Sequence, residues 1–432
     1  MDVIIVGAGI AGLAAAIGLR RAGHTVVVVE KSSSLNEVGA AIHIPPNASR
    51  ILSQWGFDFE RAMVDLARVA VNFDGKTLEL IGVPKDLTTI EENYGAPWFF
   101  CHRADLHGEL KLLATQQDGD GAPVKILVKT CVKDIDPEAG TITLEDSSIL
   151  HGDLIIAADG VHSFASNIVL GQPVPAVPTN MSAFRFLIPT EDIAQDETCQ
   201  RILKYDGSMK LFLGEGDKRV VWYPCRKSQM QNFAAIHPDS SISRAREEWN
   251  VKTSVSEFLA EFGNFHPDLL RICSKGTDFK LWKLLYREPI PTWYRSRLVV
   301  IGDAAHPMLP HQGQGGAQAI EDGAALSLIF SPPLLSAKLA DITSRLALFE
   351  SIRKPRASLL QIFSLVGQEE ADRIKDKAAK YLPDGEVVPS NPQEFYEWNF
   401  SYNIFEHCAS MLAKEKTSVS ALGVGADHSP PP

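Results

Sequence analysis

The chain opens with Asp2-Val-Ile-Ile-Val6, which runs directly into Gly7-Ala-Gly9-Ile-Ala-Gly12. A stretch of small residues with helical character then reaches about Ala22, and the β-branched run Thr25–Val29 ends at Glu30. This order of strand, glycine turn, helix and strand predicts a βαβ unit, whose two strands lie parallel in one sheet. The opening therefore decides the fold class, which is an α/β architecture built on a parallel sheet.

Each glycine in this opening has its own physical task. Gly7 permits a tight turn, Gly9 lets a pyrophosphate approach the backbone, and Gly12 lets helix and strand pack closely. The phosphates then lie on free N–H groups at the start of a helix. Glu30 ends the second strand, where a carboxylate accepts hydrogen bonds from ribose hydroxyls, and Lys31 is assigned to the same site. The sequence thus predicts a dinucleotide site, and a glycine-rich turn without a ligand is the alternative.

Length, charge and cysteine content narrow the class of protein. A chain of 432 residues is too long for one ordinary core and favours two domains. The formal net charge of -11 argues against nucleic acid or an anionic membrane surface as a main partner. The six cysteines are scattered and form no CxxC pair, which favours free thiols in a reducing compartment and predicts no metal site.

The apolar N-terminus is not expected to be a secretion signal. Asp2 follows the initiator directly, no basic segment precedes the apolar run, and glycines interrupt it. No later segment reaches eighteen consecutive apolar residues, so no membrane span is predicted. These features together predict a cytoplasmic protein.

The middle of the chain has a different pattern, in which short β-rich runs predict an antiparallel sheet. These runs are Phe184–Ile188, Arg201–Tyr205, Lys210–Leu213 and Arg219–Tyr223. Helical patterns follow at Arg244–Trp249 and Val255–Phe262. Closer to the C-terminus, a buried strand is predicted at Arg297–Ile301, and helices are predicted from about Ala317 to Phe330 and from about Ala337 to Ser364.

Three further segments have the character of motifs. They are Cys101-His-Arg103-Ala-Asp-Leu106, Asp153-Leu-Ile-Ile-Ala-Ala-Asp159-Gly-Val-His-Ser163, and Val300-Ile-Gly-Asp303-Ala-Ala-His306-Pro307 with its continuation Gly313-Gln-Gly315-Gly316. The second segment resembles the DG motif of the group A flavoprotein aromatic hydroxylases, and the third resembles their second FAD motif. The first is similar to the segment whose arginine contacts FAD. The resemblance extends to about Ser364 and is to the para-hydroxybenzoate and salicylate hydroxylases, nearest to the fungal phenol-oxidising monooxygenases.

This resemblance implies a non-covalently bound FAD and assigns residues to it. Asp159 belongs to the DG motif, and Asp303 hydrogen-bonds the ribityl chain, with a turn cap as its alternative role. Arg103 faces phosphate or ribityl oxygens, with a surface salt bridge as its alternative. Gly313, Gly315 and Gly316 let the backbone approach the flavin ring, and the helix that follows directs its positive end at that ring. The segment Gly39–Asn47, which includes Ala41, resembles the loop on the other side of the ring.

One position departs from the family. An arginine commonly stands three residues after the serine of the DG motif, and here that position is Ser166. The polar network of the motif, which also serves the interaction with nicotinamide, is therefore expected to be altered. No second dinucleotide motif is present in the sequence, as in a family where NAD(P)H visits the flavin transiently. NADPH is the nicotinamide that we expect.

The resemblance also assigns residues to a small aromatic substrate. In the family, reduced flavin and dioxygen form a C4a-hydroperoxide, and the position of Pro307 lies near it. Arg185 is expected to hold a phenolate or carboxylate, with a solvent-exposed arginine as the alternative. Tyr223 is expected to hydrogen-bond the substrate oxygen, with a core tyrosine as the alternative. His306 and His311 are expected only to fill hydrogen-bond positions in their loop.

The fold expected from these features is a Rossmann-type FAD-binding domain with a β-sheet-plus-helix substrate domain and a helical C-terminal segment. The FAD-binding domain takes residues 1–72, 95–175 and 285–365, and the substrate domain takes 73–94 and 176–284. The helical segment spans 366–415. Residues 416–432 are small, polar and proline-ended, and are expected to be disordered.

The expected function is hydroxylation of a phenol or aromatic acid with NAD(P)H and dioxygen, with or without dearomatisation or decarboxylation. Epoxidation of an indole or alkene in natural-product biosynthesis is the alternative within the same chemistry. A flavin-bound sensor or scaffold without turnover is the alternative outside it. The protein is expected to be a monomer or a homodimer.

Overall fold

The computed structural model describes residues 1–33, 40–203, 207–239, 250–331, 338–382 and 386–423, and the statements below concern these residues. In chain order, the first part contains β1 (Asp2–Val6), α1 (Ile10–Arg21), β2 (Thr25–Val29), β3 (Ala41–Ile44), α2 (Pro46–Trp55), β4 (Asp65–Leu66), β5 (Val69–Asp74), β6 (Lys85–Asp86), α3 (Ile90–Tyr94), β7 (Phe99–His102), α4 (Arg103–Thr115), β8 (Lys125–Leu127), β9 (Val132–Asp136), β10 (Thr141–Leu144), β11 (Ile149–His151), β12 (Leu154–Ala157) and α5 (Ala165–Leu170).

The middle part contains β13 (Val177–Pro189), α6 (Thr190–Ala194), α7 (Glu197–Leu203), β14 (Ser208–Leu213), β15 (Arg219–Cys225), β16 (Met230–Pro238), β17 (Asn250–Lys252), α8 (Val255–Phe262), α9 (Pro267–Cys273) and β18 (Thr277–Tyr286). The last part contains β19 (Tyr294–Arg295), β20 (Leu298–Val300), α10 (Gly315–Ile329), α11 (Leu339–Phe363), α12 (Lys375–Ala378), α13 (Pro392–Phe400) and α14 (Ile404–Gly423). Short 3-10 helices lie at Gly302–Ala304, Pro310–Gln312, Gln368–Ile374 and Ala379–Tyr381.

The first large sheet has the order β19-β20-β12-β1-β2-β8. Its strands are parallel except for β19, which forms the edge. Helices α1 and α10 pack against each other closely because glycines meet at their crossing: a Cβ added at Gly18 would lie 2.7 Å from the carbonyl oxygen of Gly323. The predicted βαβ opening and the α/β fold class are confirmed.

The second large sheet has the order β17-β18-β13-β16-β15-β14-β5-β6 and is antiparallel except for the pairing of β14 with β5. Because side chains alternate between the faces of a strand, its two faces have different surroundings. Phe184, Phe186 and Phe233 join an aromatic core with α8 and α9 on one face. On the other face, Ala183 belongs to a small apolar cluster that includes Leu309 from the loops of the first sheet. The two sheets therefore face each other across these loops.

One predicted strand of the middle part is wrong. Helix α7 (Glu197–Leu203) occupies the start of the run Arg201–Tyr205, and residues 204–206 lie outside the described residues. Cys199 and Ile202 of this helix are buried, and their spacing of three is the period of a helix and not of a strand. The helical pattern at Arg244–Trp249 also lies outside the described residues, whereas Val255–Phe262 is helix α8 as predicted.

The element boundaries differ from the expected ones at two places. Strand β5 of the second sheet already begins at Val69, before the predicted boundary at residue 73, because it pairs with β14 along its whole length. Helix α14 continues through Gly423, beyond the predicted end of the helical segment at residue 415. Neither glycine nor proline interrupts residues 416–422, so the backbone has no local reason to leave the helix there.

The C-terminal helices are fastened to the first part of the chain. Arg50 of α2 donates hydrogen bonds to the carbonyl oxygens of Tyr402 (2.9 Å) and Phe400 (3.1 Å). The segment therefore covers α2 and the adjoining strand β3. Within the described ranges, none of the helices has the length and apolar character that a membrane crossing requires.

Candidate active site

The glycine loop after β1 separates into structural positions and an open one. Gly7 has a φ of +101°, and a Cβ there would lie 2.4 Å from the carbonyl oxygen of Ala158. A Cβ at Gly12 would lie 1.9 Å from the carbonyl oxygen of Gly7. At Gly9, by contrast, an added Cβ would meet nothing within 4 Å. Gly9 thus borders open space at the start of α1, where the helix has no side-chain cap.

Glu30 closes this loop from the end of β2. Its carboxylate accepts hydrogen bonds from the backbone N–H groups of Ala8 (2.9 Å) and Ser32 (2.8 Å). Burial would raise the pKa of Glu30, but these hydrogen bonds outweigh it and lower the pKa, so the group is ionised at neutral pH. The side chain of Lys31 is exposed beside it. Glu30 therefore braces the glycine loop through the N–H of Ala8.

Two aspartates follow neighbouring parallel strands, β12 and β20. Asp159 accepts hydrogen bonds from Phe164 (3.1 Å) and Ala165 (3.3 Å) through one oxygen, and its other oxygen has no partner among the described residues. Burial raises the pKa of Asp303, against the opposing effects of His306, Arg103 and Arg287. Its carboxylate nevertheless stays accessible to solvent. Asp303 therefore lies in a recess of the surface, where protein surrounds it while one side stays open to solvent. This recess is called the cleft below.

Helix α10 begins at this cleft. Gly313 has a φ of +62° at the end of the preceding 3-10 helix, and a Cβ at Gly316 would lie 2.7 Å from Cδ1 of Ile42. A Cβ at Gly315 would have only ordinary contact, 3.9 Å from Cβ of Met308. No side chain caps the N-terminus of α10 and no acidic residue lies in its first turn. Its positive end is thus free to stabilise a negative ligand.

A buried charge network between α10 and α11 holds α10 and the Asp303 loop in place. It consists of two carboxylates and two guanidinium groups, with polar neighbours. The contacts are Arg353 Nε to Asp322 Oδ1 (2.9 Å), Arg353 Nη1 to Glu321 Oε2 (2.5 Å), Arg356 Nε to Glu321 Oε2 (2.9 Å), Asn47 Nδ2 to Glu321 Oε1 (2.7 Å), Gly302 N to Asp322 Oδ2 (2.9 Å) and His306 Nε2 to Asp322 Oδ2 (2.7 Å). The network thereby fixes the loop that carries Asp303, and His306 fills a hydrogen-bond position in it.

Arg185 lies on the face of the second sheet that looks toward these loops. Its neighbours in β13, Phe184 and Phe186, point into the aromatic core on the opposite face. Its guanidinium lies 5.8 Å from the ring centre of Trp282 and has no hydrogen-bond partner in the part of the chain that the structure describes. Burial lowers the pKa of Arg185, Tyr223 raises it and Arg103 lowers it again. The cleft therefore contains an inward-facing cation without a matching carboxylate.

Tyr223 and Asn232, which are paired across β15 and β16, both hold Ala41. The Tyr223 hydroxyl donates to the carbonyl oxygen of Ala41 (2.9 Å), and the N–H of Ala41 donates to Oδ1 of Asn232 (2.9 Å). Strand β3 is thus fastened to the second sheet through one residue. Asn232 was not predicted as a site residue, although the polar pair Gln231 and Asn232 inside a buried strand was a visible signal.

His43 lies at the same junction. Its ring centre is 4.6 Å from that of Tyr223, and a Cβ at Gly313 would lie 3.0 Å from its Nδ1. Burial lowers the pKa of His43 to about 4, so this ring is neutral at physiological pH. Burial likewise lowers the pKa of His311 to about 4. His43 was not predicted to have a role of its own. Gly39, at the start of the same predicted loop, lies outside the described residues.

Comparison with known proteins decides what this arrangement belongs to. Residues 1–360 match the family model of the FAD binding domain. The chain is a member of that family. It is 39% identical to the FAD-dependent monooxygenase phomE' of Diaporthe leptostromiformis over 390 residues, which cover 89% of this chain and 96% of the relative. This FAD-binding chain is therefore an FAD-dependent monooxygenase.

This monooxygenase is also similar to a relative named as an aromatic hydroxylase and to a solved structure. It is 29% identical to 3-hydroxybenzoate 6-hydroxylase 1 of Aquipseudomonas alcaligenes, over 92% of this chain and 96% of that one. A crystal structure of FqzB superposes with a TM-score of 0.75 at 28% identity, covering 100% of this chain and 96% of that chain. The resemblance recognised in the motifs is confirmed.

The structure brings most of the residues predicted from sequence to one region of the monooxygenase. The loops that carry Gly9, Asp159 and Asp303 all follow parallel strands of the first sheet, and the carboxyl ends of such strands meet at one edge. Arg185 and Tyr223 reach this edge from the second sheet. Pro307 is buried in the loop between Asp303 and α10.

Proposed function

We propose that this FAD-dependent monooxygenase uses NAD(P)H, NADPH by preference, and dioxygen to hydroxylate a phenol or an aromatic acid bound between the two sheets. The observation that carries the proposal is Arg185, a cation that faces the interior of the cleft without a carboxylate partner among the described residues. Such a group is stabilised by an anion, and phenolates and carboxylates are the anionic groups of small aromatic molecules.

The residues of the cleft fit FAD. Gly9 and the uncapped start of α1 would take the pyrophosphate, since the space there is open. Glu30 would accept ribose hydroxyls at the rim, with Lys31 beside it. Asp303 would accept the ribityl hydroxyls, because its carboxylate is accessible inside the cleft. Asp159 and Arg103 border the same part of the site. No covalent tether is part of the proposal.

The flavin ring would lie between the start of α10 and strand β3. Gly313, Gly315 and Gly316 present backbone to it from one side, and Ala41 of β3 lies on the other. When bound, FAD supplies the redox and oxygen-transfer chemistry. The start of α10 would stabilise negative charge on the ring, since its first N–H groups have no side-chain cap.

The substrate would lie over the face of the second sheet that carries Arg185. The guanidinium would pair with the substrate anion and favour phenolate over phenol, which makes the ring richer in electrons. The Tyr223 hydroxyl already donates to Ala41, so it would accept a hydrogen bond from a neutral hydroxyl of the substrate and leave the anionic group to Arg185. Leu187 and Val221 are apolar residues on the same face, and they help to exclude water. Pro307 would close the pocket on the side of the Asp303 loop.

The relatives support an aromatic acid or phenol as the substrate class. The name of 3-hydroxybenzoate 6-hydroxylase specifies a ring that bears both a hydroxyl and a carboxylate. The proposed reaction places a hydroxyl on the ring, with or without dearomatisation or decarboxylation, whereas epoxidation of an indole or alkene would give an epoxide or a product rearranged from it. Mass and NMR analysis of the product therefore distinguishes the two reactions.

The proposal is tested with a panel of phenols and benzoates, each paired with the matching neutral compound, in an assay of NADPH oxidation coupled to product formation. The anionic members should stimulate NADPH oxidation and be hydroxylated. Absence of stimulation by every aromatic compound would exclude the proposed function and favour a protein without turnover.

Variants of Arg185 test the anchoring role directly. Arg185→Ala should retain FAD and lose about 30- to 1,000-fold in kcat/KM, which corresponds to roughly 2–4 kcal/mol for a charged contact in a dry site. Arg185→Lys should recover part of this loss, because an ammonium cannot reproduce the planar fork. Arg271→Ala is the matched control, since that arginine lies on the surface of the same sheet domain and pairs with Asp196. Wild-type efficiency of Arg185→Ala would contradict the role, and loss of FAD would show a structural arginine.

A further inference from the structure

Ser166 occupies the position where an arginine is expected in the DG motif, and a guanidinium reaches it from elsewhere in the chain. Arg287 is the residue directly after β18, and its side chain is buried, with 3% of the residue exposed. Its Nη1 donates to Oγ of Ser166 (3.4 Å) and its Nη2 donates to the carbonyl oxygen of Ala304 (2.5 Å). The Ser166 hydroxyl donates to the same carbonyl oxygen (3.0 Å).

These contacts join the two loops that carry the aspartates of the site. Ser166 belongs to α5, whose first turn is capped by Asp159, and Ala304 directly follows Asp303. The backbone of Arg287 is held in turn, because Gln361 of α11 donates a hydrogen bond to its carbonyl oxygen. Asp303 and Asp159 are the acidic groups that act on Arg287 electrostatically. One guanidinium therefore connects both loops and lies within electrostatic range of both carboxylates.

We propose that Arg287 has taken over the place of a DG-motif arginine in this enzyme, and that Ser166 is the small residue that makes room for it. Arg287 is then a positioning residue, which holds the Asp159 and Asp303 loops at the spacing that FAD requires. Since Ser166 is fully buried beside Arg287, an arginine at position 166 would bring a second guanidinium into closely packed surroundings. This inference rests on the proposed contact of Asp303 with FAD.

The charge of Arg287 gives the proposal a measurable signature. The charged or titratable groups that act on Asp303 are His306, Arg103 and Arg287, and each of them opposes the rise of its pKa on burial. Without the charge of Arg287, the pKa of Asp303 rises further. Since a protonated Asp303 is a weaker acceptor for the ribityl hydroxyls, FAD affinity would then begin to fall at a higher pH as the solution is acidified.

The experiment compares Arg287→Gln, Arg287→Lys, Arg287→Ser, Ser166→Arg and the exchanged double variant Ser166→Arg/Arg287→Ser. FAD affinity of each apoprotein is measured by flavin fluorescence from about pH 5 to about pH 9, together with the unfolding temperature of the apoprotein. Arg287→Gln should weaken FAD binding about 10- to 100-fold and move its pH dependence upward. Arg287→Lys should keep the pH dependence of the wild type, because the charge remains.

The exchanged variant is the decisive member of the set. Ser166→Arg alone should lower the unfolding temperature, because two guanidinium groups would compete for one buried space. The double variant should recover FAD affinity to within about tenfold of the wild type, well above that of Arg287→Ser. This comparison also decides the question if Arg287→Gln does not fold.

Two results would overturn the proposal. One is an Arg287→Gln protein with the FAD affinity and pH dependence of the wild type, whatever its unfolding temperature. The other is a double variant that binds FAD no better than Arg287→Ser or does not fold. Asp303→Asn tests the assigned contact between Asp303 and FAD separately from the role of Arg287. If Asp303→Asn binds FAD like the wild type, that contact is wrong, and the proposed role of Arg287 is wrong as well.

Discussion

Three glycines within six positions have different reasons to be glycine. Gly7 and Gly12 are required by the protein itself, since a Cβ at either position would lie within 2.4 Å of a backbone oxygen. Gly9 meets no protein atom within 4 Å of its added Cβ. A residue that needs no side chain and has no neighbour is explained by a ligand that comes close to the backbone. The open surroundings of Gly9 at the start of α1 therefore fit the phosphate site that the motif predicts.

Substitution of Gly9 separates ligand binding from folding. We expect Gly9→Val to abolish retention of FAD, because the added side chain would displace the pyrophosphate from the start of α1. The unfolding temperature of the apoprotein should stay within a few degrees of the wild type, since nothing in the protein is displaced. Flavin absorbance after gel filtration and thermal unfolding of the apoprotein measure the two quantities.

Gly12→Val is the matched control for this prediction. Its side chain would collide with the carbonyl of Gly7, so the apoprotein itself should lose stability or fail to fold. Stoichiometric FAD in Gly9→Val would show that the phosphates lie elsewhere.

At the scale of elements, helix α10 has an N-terminus without a side-chain cap, and two acidic residues in its middle form buried ion pairs. Glu321 and Asp322 on its second turn are fully buried and paired with Arg353 and Arg356. Burial would raise the pKa of Glu321, but Arg356 and Arg353 reverse this and lower it. Balanced charges of this kind contribute little net stability, whereas removal of one partner is costly. The network therefore acts mainly to fix the position of α10 against the Asp303 loop.

Removal of Arg353 should lower the stability of the protein, because it leaves buried carboxylates without one of their partners. Arg353→Met leaves Asp322 with His306 and Glu321 with Arg356, and we expect the free energy of unfolding to fall by about 3–5 kcal/mol. Arg345→Met is the control on the same helix; that arginine pairs with Glu415 nearer the surface, and its loss should cost at most about 1 kcal/mol. Urea unfolding of both apoproteins provides the comparison. Equal losses in the two variants would mean that the buried pairing has no special role.

Some elements of the fold could be predicted from the sequence and others could not. The opening βαβ unit and helix α8 were predictable, because a local pattern of apolar and turn residues determines each of them. Helix α7 was not, because the run Arg201–Tyr205 contains residues that also occur in strands, and only the structure shows that Cys199 and Ile202 are the residues buried in the distant core. The hydrogen bonds of Tyr223 and Asn232 to Ala41 span 182 and 191 residues, so no local pattern could reveal them. The same is true of Arg287 and Ser166.

At the scale of the whole molecule, the site is made by two sheets that meet over loops. The chain as a whole is acidic, with a net charge of -11, yet its cleft contains Arg185 and Arg103 within electrostatic range of each other. An anionic aromatic molecule is therefore attracted by the local charge and not by the sum. The hydrogen bonds of Tyr223 and Asn232 to Ala41 attach strand β3 to the second sheet. Strand β3 is the proposed wall of the flavin site.

A double-mutant cycle measures how much these two hydrogen bonds depend on each other in the free energy of unfolding. Tyr223→Phe removes the donor to Ala41 O, and Asn232→Ala removes the acceptor for Ala41 N–H. Each leaves a buried backbone group without its partner, so each should lower the free energy of unfolding by about 1–3 kcal/mol. Because both bonds hold one residue, loss of the first releases β3 and makes the second worth less. The double variant should therefore lose less than the sum, by at least about 0.5 kcal/mol.

The control for the cycle pairs Tyr223→Phe with Thr179→Val. Thr179 Oγ1 donates to Leu284 O (3.0 Å) within the second sheet and takes no part in the contact with β3. Since independent sites add to within about 0.5 kcal/mol, this pair should be additive. FAD affinity gives a second reading: it should fall in Tyr223→Phe and Asn232→Ala but not in Thr179→Val, because only the first two displace Ala41. Additive losses in both cycles, with unchanged FAD affinity, would show that Tyr223 and Asn232 are ordinary core residues and that β3 is held by other contacts.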